Sequence, residues 1–267
     1  MVVVRFICRR LLNTSTQRKD IGQVFINEDV QRMLKDITRF KEETIFRRRQ
    51  VPELGTPKMV FMTNEQLEKA KESAYHEVRN RLQMPPVLSP NNKEPEILAK
   101  DEEIVGYTKF KVMFIDISPG FSDRNRLMSV RETDGTLREP NFEERSRLNH
   151  MFYPGEYRTI DVPKMFEDEN LYKVLQRKDY QLVLNRALLQ FEPDDPRYTA
   201  VTSKVYDYIN EKQDFDSLRS TRHFGPLCLY LAYNNKADDL IIEMLSKSLL
   251  EDAAKLVKIY YKCHDIE

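Results

Sequence analysis

The stretch that decides the fold is DDLIIEMLSKSLLEDAAKLVKIYYKC, residues 238–263. Its apolar side chains fall at Ile241, Leu245, Leu249, Ala253, Leu256, Tyr260 and Cys263, in the steps of four and three that match a helix. A second row, Leu240, Met244, Leu250, Ala254, Val257 and Tyr261, widens the stripe. The polar face is narrow and carries Glu243 with Lys247 and Glu251 with Lys255, both in the favourable glutamate-first order four apart. A helix apolar over so much of its girth needs neighbours on two or three sides. The spacing therefore predicts one long core helix, Asp238–Cys263, covered by the helices before it.

Upstream of it the pattern is helical almost throughout. Helices are expected at Pro163–Gln176, Asp179–Phe191, Asp195–Glu211, Phe215–Phe224 and Pro226–Asn234, with Gly225 closing one and Pro226 opening the next. Short connections between them imply an antiparallel bundle. Ahead of this block lies the one convincing β region. Tyr107–Ile117 and Leu127–Glu132 are strand candidates, and Asp134-Gly135 is a strong hairpin signal because both residues tolerate positive φ. Phe110, Val112 and Phe114 oppose Met113, Ile115 and Ile117, so the first strand is apolar on both faces. Such a strand is expected to be covered on both, by the C-terminal helices on one side and a partner chain on the other.

Local capping signals punctuate the rest. Asn141 with Glu144 opens a helix Phe142–Phe152 that Pro154 ends, and Thr63 with Gln66 opens another that runs through Leu82 to Met84-Pro85-Pro86. Asn27 caps a first helix, Glu28–Phe40, and 89–96 is a polar, proline-containing linker. The fold class is mainly α, α+β overall, with a helical bundle in the C-terminal half and a small antiparallel β element in the middle. The expected division is a targeting segment 1–22, an N-terminal helical extension with linkers 23–103, the β element plus a helix 104–160, and the bundle 161–267.

The chain balances 43 basic against 43 acidic residues. That balance hides a split, because residues 1–22 hold Arg5, Arg9, Arg10, Arg18 and Lys19 against Asp20 alone, leaving 38 against 42 in the remainder. Basic, hydroxyl-rich and acid-poor, the first segment has the pattern of a mitochondrial presequence. No apolar run approaches the roughly 18 residues that span a bilayer. The three cysteines, Cys8, Cys228 and Cys263, have no pairing or ligand spacing and read as small hydrophobes. Seven glycines in all argue for helices and against phosphate-cradling loops.

The search for chemistry returns little. None of the four histidines, His76, His150, His223 and His264, has a second histidine or cysteine at metal-ligand spacing. There is no glycine-rich phosphate loop, nucleophile elbow or histidine–glutamate metal helix. Carboxylates come in runs such as Asp101-Glu102-Glu103 that usually face solvent. No catalytic, cofactor or metal site is assigned. Arg47, Arg48 and Arg49 form the densest positive cluster after the presequence, and three adjacent arginines cannot all turn inward. They are the first candidates for phosphate contact. Arg219 and Arg222 are the second, with capping of helix-end carbonyls as their competing role.

Several blocks in order resemble one family: Arg81-Leu82-Gln83-Met84-Pro85-Pro86-Val87-Leu88, Gly135-Thr136-Leu137-Arg138 with Glu143-Glu144-Arg145, Gln190-Phe191-Glu192-Pro193-Asp194, and Leu218-Arg219-Ser220-Thr221-Arg222-His223-Phe224-Gly225. Together with Leu240-Ile241-Ile242 and Leu256-Val257-Lys258-Ile259-Tyr260 they are similar to the animal mitochondrial ribosomal small-subunit protein twenty-two family, over about Phe25 to His264. The resemblance implies a structural, non-catalytic component of the mitochondrial ribosome in the matrix, with no cofactor and no small-molecule substrate. Its implied partners are other small-subunit proteins and, through local basic clusters, the small-subunit rRNA. A remainder of net −4 fits that division, because RNA affinity follows the number of phosphates neutralised. The alternative is a free matrix enzyme or a protein adaptor built on a helical bundle.

Overall fold

The structure is a computed structural model that describes residues 20–39, 41, 59–89, 94–121, 125–155, 157–193 and 195–265. Asp20 caps α1 (Ile21–Ile26) by accepting from the Gln23 N–H. Asn27 caps α2 (Glu28–Thr38) by accepting from the Asp29 N–H, as its position predicts. Ile21, Val24, Val30, Leu34 and Ile37 are all buried, so the folded body includes Ile21, inside the 1–22 segment. The next described helix, α3 (Asn64–Arg81), opens with the predicted reciprocal box, Gln66 N–H to Thr63 Oγ1 and Thr63 N–H to Gln66 Oε1. Its apolar stripe is too thin to hold it down, and none of its residues is buried. Lys35 of α2 donates to Asn80 near its far end.

The β element is a four-stranded antiparallel sheet in the order β1 (Ile97–Lys100), β4 (Thr136–Arg138), β3 (Met128–Arg131), β2 (Val112–Ile115). The Asp134-Gly135 turn joins β3 to β4 as predicted. Gly135 has φ +80°, and a Cβ there would lie 2.0 Å from the Asp101 carbonyl oxygen, so only glycine fits. Pairing of Met113 with Val130 and Ile115 with Met128 sets one face, on which Met128 and Val130 are buried. Helix α4 (Phe142–Phe152), capped by Asn141 and Glu144, supplies buried Leu148 and Glu144 against that face. The cover expected from the C-terminal helices is not what the sheet receives. Helix α4, not the C-terminal helices, closes one face, and Val112 and Phe114 on the other are 36% and 47% exposed. The sheet adds no side chain to the helical core.

That core is built by α1, α2, Val87 and everything from α5 onward. The predicted helix from Pro163 breaks at Glu167, whose extended ψ of 140° separates a 3-10 turn, Lys164–Phe166, from α5 (Asp168–Gln176). Helix α6 (Tyr180–Gln190) and α7 (Pro196–Lys212) follow the sequence reading, with Pro196 in the first turn and Asp195 as cap. The expected helix Phe215–Phe224 is reduced to a 3-10 turn, Phe215–Ser217. Ser220 takes φ +62°, and its N–H donates to the Thr38 carbonyl of α2 at 3.0 Å, a tertiary bond incompatible with continuing a helix. Helix α8 (Phe224–Tyr233) therefore starts before Gly225 and Pro226 and holds both in its first turn.

The long C-terminal helix is two, α9 (Asp238–Ser246) and α10 (Leu250–His264). Between them Ser248 sits at φ +60°, with its N–H bonded to the Leu245 carbonyl and the Leu249 N–H to that of Met244. This is the double-bonded left-handed terminator, with Leu249 packed against the same core as Met244. Helix α10 packs against α1, α2, α8 and α9. Four neighbours surround it, as its apolar girth requires. Among the described residues, no helix is long and apolar enough to cross a membrane.

Candidate interaction surfaces

The arginine pair of the 218–225 block diverges. Arg219 is buried, its Nε donating to Asp216 at 3.0 Å and its Nη2 to Glu243 of α9 at 2.8 Å, with the guanidinium 4.9 Å from the centre of the Phe224 ring. Carboxylates, not helix-end carbonyls or phosphates, hold it. It pins the 3-10 turn and the start of α8 to α9, and its side chain is 4% exposed. Arg222 is exposed and donates to the side-chain oxygen of Asn185 on α6. His223 is 1% exposed and meets the same oxygen through Nε2 at 2.9 Å. Burial, with the Arg222 charge beside it, pushes the His223 pKa down to about 3, so the ring is neutral and donates its N–H. Arg47, Arg48 and Arg49 lie outside the described residues.

Two polar assemblies in the β element match no sequence motif. Arg138 grips Glu144 through Nη1 at 2.8 Å and Nη2 at 3.1 Å and also bonds Glu132. Lys111 donates to Glu144 at 2.6 Å, and the Asn141 N–H does so at 3.0 Å. The hydrogen bond from Arg138 leads in holding the Glu144 pKa down to about 2, against the opposing effect of burial. Buried Arg126 donates to the carbonyls of Asp116, Ser118 and Phe121 and stacks 3.8 Å from the Tyr153 ring centre. The capping box at Asn141 is the only trace of the first assembly in the sequence, and the second depends on loop closure that no local pattern encodes.

The open face of the sheet is laid out by its register. Ala99, Leu137, Arg131 and Val112 form one row across β1, β4, β3 and β2, with Ser129 and Phe114 beside it. Half-buried Arg131 has a buried Nε without a hydrogen-bond partner. Exposed Ile97, Leu98, Val105, Tyr107 and Phe110 lie on or next to β1 and β2, an apolar surface of the kind that marks an interaction site.

A cleft of about 330 Å³ marks the seam between α4 and the helical body, lined in part by Arg147, His150, Arg158, Thr159, Gln190 and Arg197. Its charges are largely used within the chain. Arg158 bonds Ser146 and lies 3.9 Å from Glu192, Arg197 is bidentate on Asp195, and Gln190 both accepts from and donates to Thr159. The described residues contain no group of three histidine, cysteine or acidic side chains able to hold a metal.

The chain matches the family model described as "Mitochondrial 28S ribosomal protein S22" over residues 23–265, which takes in the sheet, the body and the Arg47–Arg49 cluster. It belongs to that family. Among its relatives, the small ribosomal subunit protein mS22 of Mus musculus is 38% identical over 259 residues, covering 96% of this chain and 72% of the relative. The protein of the same name from Bos taurus is 37% identical over 240 residues, 90% of this chain and 67% of the relative. Membership in the S22 family places the sequence resemblance on firm ground. It also means that the sheet with its open face and the helical body lie inside the family's matched span.

Proposed function

We propose that this chain is a structural component of the small subunit of the mitochondrial ribosome in the matrix. It works by packing against other subunit proteins and the edge of the small-subunit rRNA, and it catalyses no reaction. The observation that carries this reading is the family match across 23–265. The chemistry of the fold agrees with it. Its buried charges are spent on each other, as in Arg219 with Glu243 and Arg138 with Glu144, while apolar side chains of the sheet face solvent. Residues 1–22 would direct import. Phosphate contact would fall to Arg47, Arg48 and Arg49, with Arg222 as a weaker surface contributor and Arg219 as an internal clamp.

Sedimentation of mitochondrial lysate tests the assignment. The chain should travel with the small-subunit RNA, and a lone soluble peak would favour a free enzyme or adaptor. Reversing Arg47–Arg49 to glutamate should weaken that association most at low salt and flatten its salt dependence, because each lost phosphate contact lowers the salt slope by about one. Incorporation unchanged at every salt concentration would remove those three arginines from the interface.

A further inference from the structure

The open face of the β1–β4–β3–β2 sheet is bounded and chemically specific. Four strands about 4.8 Å apart, three of them four residues long and β4 three, make a surface of about 14 by 13 Å at its widest. A helix with its side chains is about 10–12 Å across, so the face accommodates one helix. Its floor is Ala99, Leu137, Val112 and Phe114, with Ser129 the neutral polar exception and Arg131 the single cation in the row. Arg131 stands between Leu137 and Val112, its Nε already out of water and without a hydrogen-bond partner. On the sheet's other face, Arg138 shows what such a guanidinium takes when it is covered, a carboxylate from a helix laid on the strands.

We infer that this face is the seat of one amphipathic helix from a neighbouring protein, whose apolar stripe carries an aspartate or glutamate that pairs with Arg131. An apolar helix without that acid would strand a guanidinium away from water, which is strongly unfavourable. Nucleic acid fits less well. A stacking platform needs several rings on the strands and a phosphate track needs several cations, whereas the strands' open face offers one ring, Phe114, and one cation, Arg131. The inference rests on the scaffold reading for the existence of a neighbour and adds the neighbour's chemistry.

The test is a photo-crosslinking benzoylphenylalanine placed at Val112 of the full chain in mitochondria, followed by gradient fractionation and peptide mapping. The expected adduct is a helical segment of another small-subunit protein with an acid on its apolar stripe. Arg131→Glu should cut the adduct yield by about tenfold or more, and changing that acid to lysine should restore it. Arg131→Gln should also reduce the yield. The purified variants should keep the unfolding midpoint of the unsubstituted chain, since the Arg131 Nε has no hydrogen-bond partner among the described residues. An adduct to RNA, to a second copy of this chain or to nothing overturns the inference, as does a yield indifferent to Arg131. If the unsubstituted chain itself fails to co-sediment with the small subunit, the scaffold reading falls. If it does co-sediment, any of those outcomes defeats the Arg131 helix alone.

Discussion

The helical body and the sheet module are held together by different means. The body buries a continuous apolar cluster that includes Val30, Leu34, Val183, Val205, Phe215, Phe224, Leu227 and Leu256 at 0–1% exposure. The module from β1 to α4 buries only Met128, Val130 and Leu148 as apolar side chains among its described residues, alongside Arg126, Glu144 and Asn149. Three apolar side chains are too few to fold a sheet by burial alone. The module relies instead on Arg138 and Lys111 closing over Glu144, and on Arg126 gathering the carbonyls of the 116–121 loop. The body is thus a finished solid. The module is a smaller, ion-tied platform with its second face still apolar.

The comparison breaks most sharply at one residue in each region. Leu256 is fully buried where α10 meets its neighbours, and a carboxylate there has no partner, so Leu256→Asp should cost more than about 4 kcal/mol and unfold the body. Phe114→Asp on the open face should change stability by no more than about 0.5 kcal/mol. Circular dichroism melts of the two variants decide it, and similar losses in both would show that the sheet face is part of the core. Next in size is Glu144→Ala. It leaves Arg138, with an 18% exposed side chain, without its bidentate partner, a loss of about 3 kcal/mol. Hydrogen exchange should show β3 and β4 opening while α8 and α10 remain protected. Simultaneous opening of both regions would mean they fold as one unit.

Acid should sharpen the same contrast by separating the regions along pH. Burial holds the His223 pKa near 3, below the unfolded value of 6.5, so the unfolded chain binds the extra proton between those values. The body's stabilisation from a neutral His223 is therefore complete above pH 6.5 and lost as pH falls toward 3. Glu144 has its pKa lowered from 4.5 to about 2, so the module's contribution is intact above 4.5 and is lost as pH falls toward 2. The body should begin to weaken about two pH units before the module. Denaturant melts at pH 7, 5.5 and 4 on the parent and on His223→Gln measure this. The variant should lose the decline between pH 6.5 and 4.5, and an unchanged pH profile would show that His223 does not carry it.

What the sequence disclosed and what it withheld follow the range of the interactions. Asn27, Thr63 with Gln66, Asn141 with Glu144, and Asp134-Gly135 act over two to four residues, and each stands where its local pattern put it. The apolar stripe of 238–263 identified a core helix but not its break, because the corner keeps Leu249 facing the core and so preserves the spacing across the bend. The failure at 215–224 has a tertiary cause, the Ser220 N–H reaching Thr38 nearly two hundred positions earlier in the chain. Arg219 belongs to the same class, since the acid that claims it, Glu243, lies a helix away. The apolar strand 110–117 shows apolar side chains on both faces, yet its alternation could not say that α4 would take one face and leave the other open.

The smallest expected effect tests that corner between α9 and α10. A chain with seven glycines ends many of its helices on other residues, with Lys178, Gln213, Asn235, Ser248 and Asp265 all at positive φ. A side chain in that conformation costs about 1–2 kcal/mol relative to the right-handed region, and glycine escapes the cost. Ser248 is exposed, with its N–H satisfied by Leu245, so its replacement by glycine removes strain and no needed bond. After the added flexibility of glycine in the unfolded chain is subtracted, Ser248→Gly should stabilise the body by about 0.5 kcal/mol. Ser248→Val should destabilise it by more than that, because a branched side chain tolerates the left-handed region poorly. The gain should appear as a higher denaturant midpoint at unchanged slope. Two variants of equal stability would mean that the corner is no sharp terminator and that α9 and α10 exchange with the single continuous helix their spacing describes.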